Sequence, residues 1–244
     1  MISLLYNKKL INFKDYKMNK IPKILTIVIG LLSFGSLALA DIKAGITIGA
    51  IDMDPTAKEE KFSQHAMNGT GGPADNHTEE LQIPFASVFI EKDFGLVSLG
   101  VDLTPYDLDS EELNNVRTAT RGDGDQNTTD SKVTVTVENP VMIYALIQND
   151  AGAFVRLGAS HANVRTDEVL TTGSKYPDAD LYGGHISLGL ERELGANDLS
   201  FRVEAGYTGY TNVTVVNDQS ARPTKVHVQD MDGITARISL LKTF

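Results

Sequence analysis

The chain has 244 residues, no Cys and no Trp, and carries 22 Lys+Arg against 32 Asp+Glu. The missing Cys excludes disulfides, thiolate metal sites and a Cys nucleophile. The acidic balance excludes a nucleic-acid partner held by charge, because such a surface repels phosphates.

The first 40 residues differ from the rest. From Met18 the text reads MNKIPKILTIVIGLLSFGSLALAD. Lys20 and Lys23 give a positive start, Ile24 to Leu32 an apolar core, and Ala38-Leu39-Ala40 a small-residue cleavage site. These are the three parts of a secretory signal peptide. Cleavage after Ala40 would make Asp41 the first mature residue. The expected organisation is therefore an N-terminal extension and cleavable signal over 1–40, then one domain over 41–244. Residues 1–40 hold six Lys and one Asp, so the mature part has 22 − 6 = 16 basic and 32 − 1 = 31 acidic residues, net 16 − 31 = −15. After Asp41 no run of about 18 apolar residues appears, so no spanning helix is expected there.

Alternation with period two recurs past Asp41 and predicts strands. Eight are read, over 41–51, 83–92, 95–104, 133–148, 152–165, 181–194, 198–215 and 225–244. Three connections, KDFG, QNDAG and GAND, are tight turns of Gly, Asn and Asp. The others are longer and polar, above all those at 52–82 and 105–132. Short and long connections alternate, as in an up-and-down barrel with turns at one rim and loops at the other. One face of each strand is aliphatic. In 198–208, Leu199, Phe201, Val203, Ala205 and Tyr207 alternate with Ser200, Arg202, Glu204, Gly206 and Thr208. A membrane barrel turns the aliphatic face to lipid, whereas a soluble lipocalin-like barrel turns it inward. The signal peptide, the absent Cys and the many Gly on the polar face favour lipid outside.

Inward parity collects Lys43, Glu91, Asp102, Arg156, Glu191, Arg202, Glu204 and Arg237, with His185. Isolated charges in a narrow bore are costly to desolvate, so these should pair and plug it. A turn centred on Ala196-Asn197 places Glu191 opposite Arg202. Arg156 is expected to flank Glu191 on its other side, and Glu204 to pair with Arg237.

Two motifs point elsewhere. Asp123, Asp125, Asn127 and Asp130 begin like a calcium loop, but Thr128 and Thr134 stand where Gly and Glu are needed. No metal site is expected. His185-x-Ser187 is the minimum for a base beside a serine nucleophile. It resembles the pair of outer-membrane lipid A deacylases, although Leu188 stands where those enzymes carry Asn, and parity puts both residues in the lumen.

The chain ends GITARISLLKTF, with Phe244, Lys242, Leu240 and Ile238 on one face. With that ending it resembles the small outer-membrane β-barrel proteins of Gram-negative bacteria, similar to the membrane domain of outer-membrane protein A without its periplasmic domain. The resemblance implies that Phe244, with Leu240 and Ile238, is the signal read by the barrel assembly machinery. Lys242 departs from the pattern. The resulting expectation is an all-β, eight-stranded antiparallel transmembrane barrel in the outer membrane of a Gram-negative bacterium. It is expected to be a monomer among outer-membrane lipid and lipopolysaccharide, without cofactor or nucleic acid. A structural or surface-interaction role leads. A narrow pore or small-solute carrier is the alternative, and a lipid A-modifying enzyme comes after both.

Overall fold

The computed structural model describes residues 41–61, 76–78, 80–109, 113–120, 126–169, 175–195, 198–218 and 224–244. The signal-cleavage residues Ala38 and Ala40, and Asp123 and Asp125 of the acidic motif, lie outside them.

Eight strands form a closed antiparallel barrel: β1 Ile42–Met53, β2 Leu81–Asp93, β3 Val97–Leu103, β4 Gln126–Gln148, β5 Ala153–Val169, β6 Ala179–Glu193, β7 Leu199–Tyr210 and β8 Asp232–Thr243. Each pairs with its neighbours in sequence, and β1 pairs with β8 from Lys43↔Thr243 to Met53↔Gly233. The Phe244 amide donates to the Ile42 carbonyl at 2.8 Å, so the last residue is tied into the seam.

Directly opposed residues trace a circuit of Thr243, Lys43, Glu91, Gly100, Tyr144, Gly158, His185, Thr208 and Gly233. It returns to β8 ten residues away, 243 − 233 = 10. With a rise of ~3.3 Å per residue and strands ~4.8 Å apart, that shear gives a tilt of roughly 41° and a backbone radius of roughly 8 Å. Such a bore is wide enough only for side chains.

The sequence dictates how the bore fills. Inward glycines lie beneath large rings from adjacent strands. A Cβ on Gly100 would stand 2.3 Å from the Tyr144 ring, and one on Gly189 would stand 2.3 Å from the Phe154 ring. On the outward face Ile48, Leu188 and Ile234 are 61%, 65% and 67% exposed. That outward aliphatic belt is the face a membrane-spanning barrel turns to lipid.

The turn rim is regular. Gly95 has φ 92°, and its amide donates to Asp93 Oδ1 at 2.7 Å. Gly152 has φ 76°, and a Cβ there would strike the Glu191 carbonyl at 2.3 Å.

The other end departs from expectation. The segments 198–215 and 225–244 are each broken. Past Thr211-Asn212, Val213–Val216 pairs with Thr224–Gln229, which pairs in turn with Thr56–Lys61 and so with Asn76–Thr78. Asp230, at φ 58°, turns the chain back into β8. The stretches at 52–82 and 105–132 thus hold strands of their own, including Leu113–Thr120, which forms a hairpin with β4.

The wall also changes there. β3 stops at Leu103, opposite Val88 and Val141. Beyond it, among the described residues, Leu81–Ser87 has β1 on one side and no strand on the other. Three prolines gather at this seam: Pro84 in β2, Pro105 after β3 and Pro140 in β4. Asn139 has φ 51°, and the β4–β5 register shifts between Glu138 and Val141. Proline has no N–H to give a ladder, so it settles where pairing is interrupted. The Tyr106 hydroxyl covers part of the gap by accepting from the Ala86 amide.

Candidate functional site

The bore is crossed by two layers of ion pairs. All eight inward charged residues named above are buried, with Arg156 and Arg202 at 0% exposure.

The layer near the turn rim is built around Arg202. Its Nη2 lies 2.6 Å from Glu191 Oε2, and its Nη1 and Nη2 donate to Glu91 at 3.2 Å each. Lys43 Nζ reaches Glu191 Oε1 and Asp93 Oδ2, both at 3.2 Å. The Tyr144 hydroxyl donates to Glu91 Oε2 at 3.0 Å. Register explains the central contact, because Glu191 and Arg202 are directly opposed across the β6–β7 ladder.

The second layer lies roughly 8 Å further from the turns, estimated from the same tilt and rise. Arg237 donates to Asp102, and its Nε lies 2.8 Å from Glu204 Oε1. Arg156 Nη2 lies 3.2 Å from Glu204 Oε2, and its Nη1 lies 3.9 Å from Asp102. The upper layer balances two cations, Arg156 and Arg237, against two anions, Asp102 and Glu204, and the lower sets Lys43 and Arg202 against Glu91, Glu191 and, at its edge, Asp93. Aromatic rings back the cations, with Arg156 4.2 Å above Tyr144 and Arg202 between Phe154 at 5.2 Å and Phe89 at 5.5 Å. Cations on ring faces gain further electrostatic attraction.

One pairing expected from the sequence is wrong. Arg156 does not flank Glu191. The ladder sets Arg156 opposite Ser187, and the β5-side neighbour of Glu191 is Gly152, whose carbonyl accepts from the Glu191 amide at 2.8 Å. Judging height by distance from the turns ignores the shear, which lifts each strand relative to the last. Two members of the network were missed. Tyr144 has inward parity but no charge to draw notice. Asp93 ends β2, although KDFG reads from the sequence as a turn.

Hydrogen bonding is incomplete from the second layer upward. Arg156 Nε, Nη1 and Nη2, Arg237 Nε and both Glu204 carboxylate oxygens are buried without a hydrogen bond among the described residues, although ion-pair partners lie near them. His185 Nδ1 lies 2.8 Å from Thr208 Oγ1. Among the described residues, His185 Nε2 and the hydroxyls of Ser87, Ser187 and Thr235 are buried without a hydrogen-bond partner. His185 and Ser187 therefore form no base–nucleophile pair, and both lie inside the bore. No group of three or more metal-ligating side chains is found among the described residues.

At the outer rim, Asp52, Asp54, Glu80, Asp230 and Asp232 surround a hollow of about 380 Å³. The Tyr207 hydroxyl donates to Asp232 at its edge.

At the seam end, Leu240 and Ile238 face outward, 38% and 55% exposed. Lys242 Nζ lies 5.2 Å from the centre of the Phe244 ring.

No protein-family model matches the chain. No curated protein matches it either. Solved structures of similar fold exist. The outer membrane protein OprG from Pseudomonas aeruginosa superposes with a TM-score of 0.45 at 12% identity, over 84% of this chain and 96% of that one. The outer membrane protease OmpT from Escherichia coli gives 0.44 at 9% identity, over 87% and 100%. The attachment invasion locus protein Ail of Yersinia pestis gives 0.34 at 10% identity, over 81% and 99%. None of these likenesses carries a role or a residue assignment to this chain.

Proposed function

We propose that this chain is a non-enzymatic outer-membrane barrel with a plugged bore, acting as a structural or surface-interaction protein that presents acidic β-structure outside the cell. The observation that carries this reading is the double ion layer. Two interlocked sets of buried pairs, backed by aromatic rings, cross a bore with a radius of roughly 8 Å, which has no room for both a plug and a channel. The acidic rim supports the outward-facing role. The inward placement of His185 and Ser187 speaks against lipid chemistry, because a lipid in the bilayer cannot reach them. On this reading the barrel works as a monomer, needs no cofactor, and is delivered to the membrane by the barrel assembly machinery through Phe244.

The test is conductance. Purified barrel inserted into a planar lipid bilayer should give no steady current steps. A steady large conductance from the wild type would overturn the plug and favour the narrow-pore reading.

A further inference from the structure

Tyr144 touches both ion layers. Tyr144 of β4, Gly100 of β3 and Glu91 of β2 are directly opposed in a single row. The Tyr144 hydroxyl crosses the middle strand and donates to Glu91 Oε2 at 3.0 Å. Glycine in the middle makes the crossing possible, because a Cβ on Gly100 would stand 2.5 Å from the hydroxyl oxygen. The row also descends. At the barrel's tilt, each step from strand to strand drops by roughly 3 Å towards the turns, so two steps cover roughly 6 Å of the separation of roughly 8 Å between the layers. Shear thus brings a residue that starts at the height of the second layer into contact with the first.

The same ring holds a member of the second layer. The Arg156 guanidinium carbon lies 4.2 Å from the Tyr144 ring centre, and both side chains are buried. Arg156 in turn lies 3.2 Å from Glu204. Phe89 and Phe154 also place a ring near a cation, Arg202, but they have no hydroxyl with which to bond a carboxylate. The two contacts of Tyr144 strengthen each other. A phenol that donates to a carboxylate carries more negative charge on its ring, which attracts a cation on its face. The cation in turn makes the hydroxyl a better donor. Disturbing Glu91 therefore loosens the hold on Arg156, and the reverse.

We infer that Tyr144 is a positioning residue that couples the two layers, so that the plug forms and breaks as one unit and not as two gates in series. This role presupposes the plugged bore proposed above.

A triple-mutant cycle on the full barrel tests it. Glu91→Gln and Arg156→Gln, singly and together, are compared in the wild-type and Tyr144→Phe backgrounds. Tyr144→Phe keeps the ring and removes only the hydroxyl. Urea titration in detergent, read by gel mobility, gives the unfolding equilibrium constants. Any direct attraction between Glu91 and Arg156 is common to both backgrounds, so the difference between them isolates the hydroxyl. The deviation from multiplicative effects should be roughly three- to tenfold larger in the wild-type background than in Tyr144→Phe. Equal deviations would overturn the coupling. Nitrogen-15 NMR gives a second reading from single substitutions, which decides if the double variant fails to fold. Glu91→Gln should shift the Arg156 Nε–Hε resonance several times further in the wild-type background than in Tyr144→Phe, and equal shifts would overturn the coupling. A steady large conductance from the wild type, with the coupling intact, would overturn the plug reading alone.

Discussion

The two ends of the barrel obey different rules. From the turn rim to the second ion layer, strands run in unbroken register and every inward charge has a counter-ion. Towards the loop rim, among the described residues, the wall loses a strand at Leu103, prolines accumulate, and buried hydroxyls stand without hydrogen-bond partners. The lower half must tolerate charge in a narrow, dry bore, and only paired charge is affordable there. The upper half lies at the interface, where water can take up unmatched groups. Rigidity should therefore concentrate near the turns, and adaptability near the loops.

The largest test of this contrast is Arg202. It is fully buried and serves both Glu91 and Glu191, so Arg202→Ala leaves two carboxylates facing each other with only Lys43 nearby. Breaking a buried pair in this way costs roughly 3–5 kcal/mol. Urea titration in detergent, read by gel mobility, should show a lower midpoint and an unfolding free energy reduced by that amount. Glu191→Ala should cost less, because Arg202 keeps Glu91 and Lys43 keeps Asp93. Equal costs for the two variants would mean the lower layer is not organised around Arg202.

Hydrogen exchange gives the next contrast. Amides of Leu81–Ala86, along the open side of β2, should exchange ten- to a hundredfold faster than those of Ser87–Asp93 in the same strand. That range corresponds to about 1.4–2.8 kcal/mol of easier local opening. Uniform protection along β2 would show that the segment after Leu103 closes the wall as well as a strand does.

These contrasts follow how much was legible in the sequence. Within the bilayer, environment imposes a strict period of two. The inward set from Lys43 to Arg237, and the pairs Glu191–Arg202 and Glu204–Arg237, could be placed by counting. Above the bilayer nothing enforces alternation. The strand Thr56–Lys61 reads TAKEEK, without an apolar residue beyond Ala57, and carries no periodic signal. The breaks at Thr211-Asn212 and Asp230 were hidden because alternation resumes on either side of them. Arg156 was misplaced for a third reason. Shear is a property of the closed barrel, and no single strand records it.

At the closure seam, removing Phe244 takes away one hydrogen bond to Ile42 and one cation–ring contact with Lys242. The folded barrel should lose only about 1 kcal/mol, the usual net worth of such contacts. The yield of heat-modifiable barrel in outer-membrane fractions should nevertheless fall severalfold if the residue is read during assembly. An unchanged yield would reduce Phe244 to its two contacts.

The smallest effects divide the halves most finely, because one row of the bore contains both kinds of hydroxyl. Ser87, Thr47 and Ser239 are opposed across β2, β1 and β8. Thr47 and Ser239 share a hydrogen bond of 2.8 Å, and both are nearly inaccessible. Ser87 is equally buried, but its hydroxyl has no partner among the described residues. Thr47→Val keeps the volume and strands the Ser239 hydroxyl, which should cost about 1 kcal/mol or somewhat more. Ser87→Ala removes an unmatched group and should stay within ~0.5 kcal/mol of wild type, or even stabilise. Both follow from the same urea titration. Equal losses would mean that an ordered water satisfies Ser87. Water would then reach the level of the second ion layer, because this row spans the same height, and the dry part of the plug would shrink towards the Arg202 layer.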